Sequence, residues 1–317
     1  MRMQAIGSSM VATLGAALAL TSAPAMAGKP GGGTGTYNPE IAYTSNQGSA
    51  WSVYLANADG TNPVAVYSRR KGGGVGRVDF VPGSGPAGGQ LVFQPTLGSI
   101  SVLTYTAGTG GIKVTNIRAL VTEQSLLLTS VDVSPDGLYV LYKVGNGDNT
   151  STLKVIPIGG GPVANISTGY FVEAVWSRDM APNPRIAVSI GFGGNAGLPR
   201  IETITLNSDF SFLSTSGPIY APCTDCTSIA IEFARTEDDI LFSVAGGASS
   251  GSMGNIPAIG GAVVPYNGVS GFSPCFNAND TRMYYKNGSS VLYALDLATQ
   301  LSTTVSVGSV NVFDVRP

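Results

Sequence analysis

Apolar residues in this chain fall into short runs separated by Gly, Asn, Asp and Pro, and helical spacing is nearly absent beyond the first residues. Short runs bounded by turn formers predict β-strands, in a sandwich, a barrel or a repeat array. The clearest unit is Val131-Asp132-Val133-Ser134-Pro135-Asp136-Gly137, continuing into Leu138-Tyr139-Val140-Leu141-Tyr142-Lys143. Pro presets φ, Asp bonds its own backbone and Gly accepts positive φ, so Pro135-Asp136-Gly137 is a tight turn between two strands. Third and fourth strands are predicted at Thr152–Ile156 and Val163–Ile166.

The unit recurs. Trp176-Ser177-Arg178-Asp179 leads to Ile186–Ser189, Ile201–Thr205 and Phe210–Leu213, and Phe233–Thr236 leads to Ile240–Val244. Phe276–Asp280 leads to Arg282–Lys286 and Val291–Asp296, and a looser copy runs from Val78–Pro82 to Leu91–Gln94. Corresponding positions lie 39 residues apart (275 to 314) at the shortest and 57 apart (175 to 232) at the longest. That interval suits the roughly 40–45 residues of a four-stranded propeller blade, with loop insertions expected in the longer copies. Glu40–Thr44, Trp51–Ala56 and Val64–Tyr67 lack a first strand, whereas Val310–Pro317 reads as a first strand without a blade. Pairing them predicts an all-β, six-bladed β-propeller with four antiparallel strands per blade, its ring closed by the C-terminal strand. Closure leaves no ring edge open to other chains. A sandwich with a frayed end is the competing reading, and the period favours the ring.

The first residues carry a different signal. Arg2, the apolar run Met10–Leu20 and the Ala25-Met26-Ala27 site have the three parts of a secretory signal peptide, predicted over 1–27. The run is too short to span a bilayer, which takes about 20 apolar residues. No cysteine follows the cleavage site, so a lipoprotein anchor is not expected. Residues 28–38 form a Gly-rich flexible segment and 39–317 the propeller. The expected location is therefore periplasmic or secreted, in the bacterial envelope, with no membrane span after cleavage.

Composition narrows the chemistry. A net charge of −2 offers no footprint for nucleic acid or anionic lipid. The chain has no histidine, which removes Ser-His-Asp and Cys-His catalysis and His-bearing zinc sites. Gly247–Gly251 fits G-x-S-x-G but is a Gly/Ser loop without a histidine base. Gly83–Gly88 fits G-x-G-x-x-G but opens a strand, not a helix.

The repeats carry a family resemblance. Val133-Ser134-Pro135-Asp136-Gly137 with Tyr142, Ile41-Ala42-Tyr43-Thr44-Ser45-Asn46, and Val53-Tyr54-Leu55-Ala56-Asn57-Ala58-Asp59-Gly60 resemble the WD40-like (PD40) repeat of TolB-like propellers. The other blades keep only Trp176, Ser177 and Asp179, or Phe276 and Asp280. The resemblance implies a protein-interaction module of the envelope, here without the α/β domain that precedes the propeller in the family's namesake.

Aligning the first strands places Asp79, Asp132, Val175, Glu232, Cys275 and Asp314 at one position, just before the closing apolar residue. First strands line a propeller's central channel, so Asp79, Asp132, Glu232 and Asp314 are a candidate acidic ring. Such carboxylates either bond backbone N–H groups of neighbouring blades, hold a cation such as calcium, or form an electronegative funnel for a basic segment. Cys223-Thr-Asp-Cys226 is expected to form a local disulfide in an oxidising compartment, with Cys275 also open as a partner. The Asp residues of Asp59-Gly60 and Asp136-Gly137 read as turn formers, and the large aromatics as packing residues.

The expected function is a binding scaffold for a protein partner, without catalytic residues or an obligatory cofactor. The alternatives are a polysaccharide-active enzyme using carboxylates or calcium, since acid/base carboxylate pairs need no histidine, and a lectin-like propeller binding an envelope glycan.

Overall fold

The computed structural model describes residues 37–47, 50–69, 76–123, 128–178, 180, 182–191, 197–222, 224–305 and 307–317. The predicted signal peptide and most of the Gly-rich segment lie outside the described residues. Twenty-four strands form six four-stranded antiparallel sheets, with no helix among the described residues. Blade 1 holds β1 (Ile41–Gln47), β2 (Ala50–Ala56) and β3 (Val64–Arg69). Blade 2 holds β4 (Val78–Phe80), β5 (Gly88–Thr96), β6 (Ser99–Gly108) and β7 (Gly111–Thr122). Blade 3 holds β8 (Leu128–Val133), β9 (Tyr139–Gly145), β10 (Ser151–Pro157) and β11 (Ala164–Gly169). Blade 4 holds β12 (Phe171–Trp176), β13 (Arg185–Ile190), β14 (Arg200–Leu206) and β15 (Phe212–Tyr220). Blade 5 holds β16 (Ser228–Phe233), β17 (Asp239–Ala245), β18 (Met253–Pro257) and β19 (Val264–Pro265). Blade 6 holds β20 (Phe272–Phe276), β21 (Arg282–Lys286), β22 (Leu292–Asp296) and β23 (Leu301–Thr304).

The last strand, β24 (Val312–Val315), pairs with β1 and completes blade 1 in the order β24-β1-β2-β3. Its register sets Ala42 opposite Asp314 and Tyr43 opposite Phe313. Asn311 N–H to Thr44 O (2.9 Å) and Arg316 N–H to Glu40 O (2.8 Å) extend the seam at both ends. The predicted closure is the one observed.

The core lies between blades. Each of six buried clusters draws on two adjacent blades: Ala42 and Leu55 of blade 1 meet Phe80, Leu91 and Leu103 of blade 2. The sixth sets Tyr284 and Leu292 of blade 6 against Tyr43 and Phe313 of blade 1. Burying one such side chain stabilises by about 1.5–3 kcal/mol, so every blade depends on both neighbours. β9, buried along most of its length, reads as a nearly continuous apolar run because blades cover it on both faces.

Turn chemistry sets the hairpins. In Ser134–Leu138 the Asp136 carboxylate accepts from Ser134 Oγ (2.6 Å) and Leu138 N–H (3.0 Å). Gly137 takes φ +72°, and a Cβ there would lie 3.3 Å from Pro82 O. A second turn, Asn-x-Asp-x-Thr/Ser, recurs at Asn57–Thr61, Asn146–Thr150 and Asn207–Ser211, where Asp59, Asp148 and Asp209 each accept the N–H two residues on at 2.9 Å. At Asn277–Thr281, Asn279 stands in for the Asp.

These turns explain one boundary error. Phe210–Leu213 was expected as a strand, but Phe210 is a turn residue at φ 64° and β15 begins at Phe212. Blade 2 corrects another expectation. Its long interval comes from β5, β6 and β7, of 9, 10 and 12 residues, more than from inserted loop.

Candidate functional site: a channel bridged at two levels

The first strands β24, β4, β8, β12, β16 and β20 stand side by side in chain order around the axis. The residues predicted to form an acidic ring all sit near the ends of these strands, and the structure shows what holds them. Asp314 Oδ2 accepts the Phe80 N–H of the next blade at 2.8 Å. Asp79 likewise accepts Val133 N–H, and Asp132 accepts Trp176 N–H. Cys275 Sγ lies 3.5 Å from Asp314 Oδ1, across the seam to blade 1. At Val175 the task passes to Glu173, two residues earlier, which accepts Ile231 N–H at 2.8 Å. Each acceptor ties its strand to the strand of the following blade.

Glu232 is different: it faces Arg235, which the sequence reading overlooked. Arg235 Nη2 lies 3.8 Å from Glu232, 3.5 Å from Asp314 and 3.9 Å from Cys275 Sγ. One guanidinium from the loop after β16 therefore reaches blades 5, 6 and 1. It supplies the counter-charge that a ring of bare carboxylates lacks. Its position outside the repeat alignment gave no signal in the sequence.

Electrostatics follow from burial and crowding. Burial, reinforced by Asp314 and Asp132, pushes the Asp79 carboxyl well above the carboxylate range, and Asp79 shares a side-chain hydrogen bond with Asp314. Asp132 is pushed up to about 7, mainly by burial. Burial also raises Glu232 despite the opposing Arg235. For Arg235 burial opposes the charge, but Glu232, Cys275, Asp314 and Asp79 together hold the guanidinium above its ordinary value. The Cys275 thiol is raised by burial and by Asp314. Asp132 therefore titrates near neutral pH.

A second polar level lies toward the other mouth. Two residues beyond the partner of each ring position, the second strands carry Thr44, Gln94, Lys143, Ser189, Ser243 and Lys286. All six are polar, a regularity that alignment of second strands exposes. Lys143 Nζ donates to Phe171 O (2.8 Å) and Val172 O (2.6 Å), and Lys286 Nζ to Asn311 O, in each case at the start of the next first strand. Ser243 Oγ accepts Ser273 N–H at 3.2 Å. Arg77, just before β4 of blade 2, reaches past blade 3 to pair with Glu173 of blade 4. Burial lowers Lys143 to about 8 and lowers Lys286, with Arg77 adding to both shifts. The channel is polarised, with carboxyl groups at the ends of the first strands and cations at their beginnings.

Beyond the acidic level opens a mouth cavity of about 240 Å³, lined by Asp79, Asp132, Trp176, Arg178, Glu232 and Arg235 among others. Among the described residues no three His, Cys, Asp or Glu side chains are arranged to hold a metal ion. Cys226 is disulfide-bonded and Cys275 is free, which takes Cys275 out of the pairing; Cys223 lies outside the described residues. Gly247–Gly251 is a turn between β17 and β18, and Gly83–Gly88 runs into β5. Among the described residues no helix is long and apolar enough to cross a membrane.

These features define a six-bladed β-propeller whose channel is bridged by charged side chains at two levels. The structure is similar to that of TolB from Acinetobacter baumannii, with a TM-score of 0.67 at 15% identity over 89% of this chain and 68% of TolB. It is also similar to a chain of a nidogen/laminin complex (TM-score 0.61, 12% identity, 88% and 98% covered). A third likeness is to an oligogalacturonate lyase in complex with manganese (TM-score 0.50, 8% identity, 80% and 70% covered). At these identities the likeness is one of fold. No family model matches the sequence, and no curated protein matches it.

Proposed function

We propose that this chain is an exported binding scaffold of the bacterial envelope that receives a basic segment of a protein partner at its acidic mouth. The observation that carries this reading is the commitment of the ring carboxylates. Asp79, Asp132 and Asp314 each bond a backbone N–H of the next blade, and Glu232 faces Arg235. Carboxylates tied in this way form a rigid, preorganised surface. Glycosidic acid/base chemistry needs two carboxyl groups free to reach opposite sides of one bond. The mouth nevertheless is lined by three carboxyl groups, Asp79, Asp132 and Glu232, beside Arg178 and an Arg235 that Asp314 already engages at 3.5 Å.

The Arg2 to Ala27 leader supports export, and the repeat resemblance supports a protein partner. The similar fold in a nidogen/laminin complex points the same way. Immobilised propeller is expected to retain a protein from an envelope extract, with retention falling as salt rises, because screening weakens charge pairing. Asp132→Asn combined with Glu232→Gln should reduce that retention. Retention unchanged by both substitutions, or release of new sugar ends from a polysaccharide panel, would overturn the reading.

A further inference from the structure

The opposite mouth carries a second cavity, of about 380 Å³, between blades 5 and 6. Its wall combines Lys286 with Ser228, Ser243, Ser273, Ser290 and Phe272. These residues sit at the beginnings of first strands, the ends of second strands and the turn before β22. The cavity thus lies at the basic end of the channel, away from the acidic mouth.

Two observations assign chemistry to it. The first concerns charge. Arg77, Lys143 and Lys286 share this end with Glu173, and Glu173 is already engaged by Arg77 and by Ile231 N–H. Lys143 gives its ammonium to two carbonyls, whereas Lys286 gives its own to Asn311 O alone among the described residues. An ammonium has three donors, so Lys286 has N–H groups left for an occupant. The second concerns the neutral wall. The hydroxyls of Ser228, Ser273 and Ser290 have no protein partner among the described residues. Ser243 Oγ accepts Ser273 N–H and keeps its own proton to donate. Hydroxyls beside one aromatic residue suit a ligand that is hydroxylated on its edge and apolar on its face.

We propose that this cavity binds a small carboxylated sugar, a hexuronate, with its carboxylate on Lys286, its hydroxyls on the serines and its ring face on Phe272. The site is separate from the acidic mouth, so binding here stands or falls independently of the partner reading.

D-glucuronate and D-glucose, each titrated into the full mature chain by calorimetry and ligand-observed NMR, test the assignment. Glucuronate is expected to bind and glucose to bind at least about tenfold more weakly, since a charge-assisted hydrogen bond is roughly twice as strong as a neutral one. Lys286→Met should weaken glucuronate about tenfold or more. Ser228→Phe fills the cavity without touching the Lys286–Asn311 bond and should abolish binding in a protein of unchanged melting temperature. This second variant decides the matter if Lys286→Met fails to fold. Arg178→Ala, at the far mouth, should leave the affinity unchanged. No glucuronate binding at 10 mM (on the order of the weakest useful affinity), equal affinity for glucose, or full affinity in Ser228→Phe would overturn the proposal.

Discussion

Asp314 Oδ2 accepts the backbone N–H of Phe80 at 2.8 Å, joining the last strand of the chain to the first strand of blade 2. The two residues are 234 positions apart, and this bond lies beside the seam where the ring closes. The same Asp314 lies 3.5 Å from Arg235, so backbone stitching and charge balance meet at one carboxylate.

Asp314→Ala leaves the buried Phe80 N–H without an acceptor and removes a partner of Arg235. A buried donor left unsatisfied costs about 1–3 kcal/mol. Urea unfolding should show a loss in that range, and Asp314→Asn, which keeps an acceptor oxygen, should lose less.

Arg235→Met removes the cation from between Glu232 and Asp314. Breaking a buried pair from one side costs about 3–5 kcal/mol, because the remaining charge is uncompensated. Adding Glu232→Gln should restore part of that stability. A double variant no more stable than Arg235→Met would show that Glu232 is not the group left exposed to the loss.

The acidic level predicts an unusual pH dependence. Asp132 is raised to about 7 in the folded protein, and Asp79 and Glu232 are also raised, by burial first. A folded-state pKa above the unfolded value means that the native state binds more protons across the interval between them. Stability then falls as pH rises through that window. For Asp132 the window runs from its ordinary value of 3.8 to about 7. Thermal melts should decline from pH 4 to 7, and Asp132→Asn should flatten part of that decline.

Lys143 has the opposite sign. Its folded-state value is about 8 against an ordinary 10.5, so its contribution to stability rises with pH between those values. Lys143→Met should remove that rise between pH 8 and 10.5. It should also destabilise the protein below pH 8, because the carbonyls of Phe171 and Val172 lose their donor.

The Cys275 thiol is buried, and its pKa is raised by burial and by Asp314. A thiolate is the reactive form, so a maleimide or disulfide reagent at pH 8 should leave Cys275 unmodified in the folded protein. Unfolding in guanidinium should expose it to rapid labelling, detected by mass.

Much of the fold was legible. Strand positions followed from short apolar runs between turn formers, and closure followed from an unpaired strand at each end. Blade 2 was less legible, because β7 buries only Ile112 and Val121 over its 12 residues and so lacks a clear apolar run. The position of the acids was visible in the aligned first strands, whereas their partners were not. Arg235 follows the aligned segment and reaches Asp314 only through the ring, so no local pattern links them. The second polar level was written in the sequence, at the residue two beyond each ring partner, but only the strand register shows that the six positions correspond.

By itself the sequence determined the number of blades, the hairpin turns and the placement of one acidic residue per copy in four copies. Those properties depend on local backbone preference and on the period of apolar residues, which every segment carries within itself. Only the tertiary structure decided which carboxylates bond a neighbouring blade, which meet Arg235, and which are pushed upward by burial. Charge interactions scale inversely with distance and with the local dielectric, and both are set when six distant first strands are brought around one axis. The row of aligned acids is therefore a seam between blades at Asp79, Asp132 and Asp314 and a charge pair with Arg235 at Glu232.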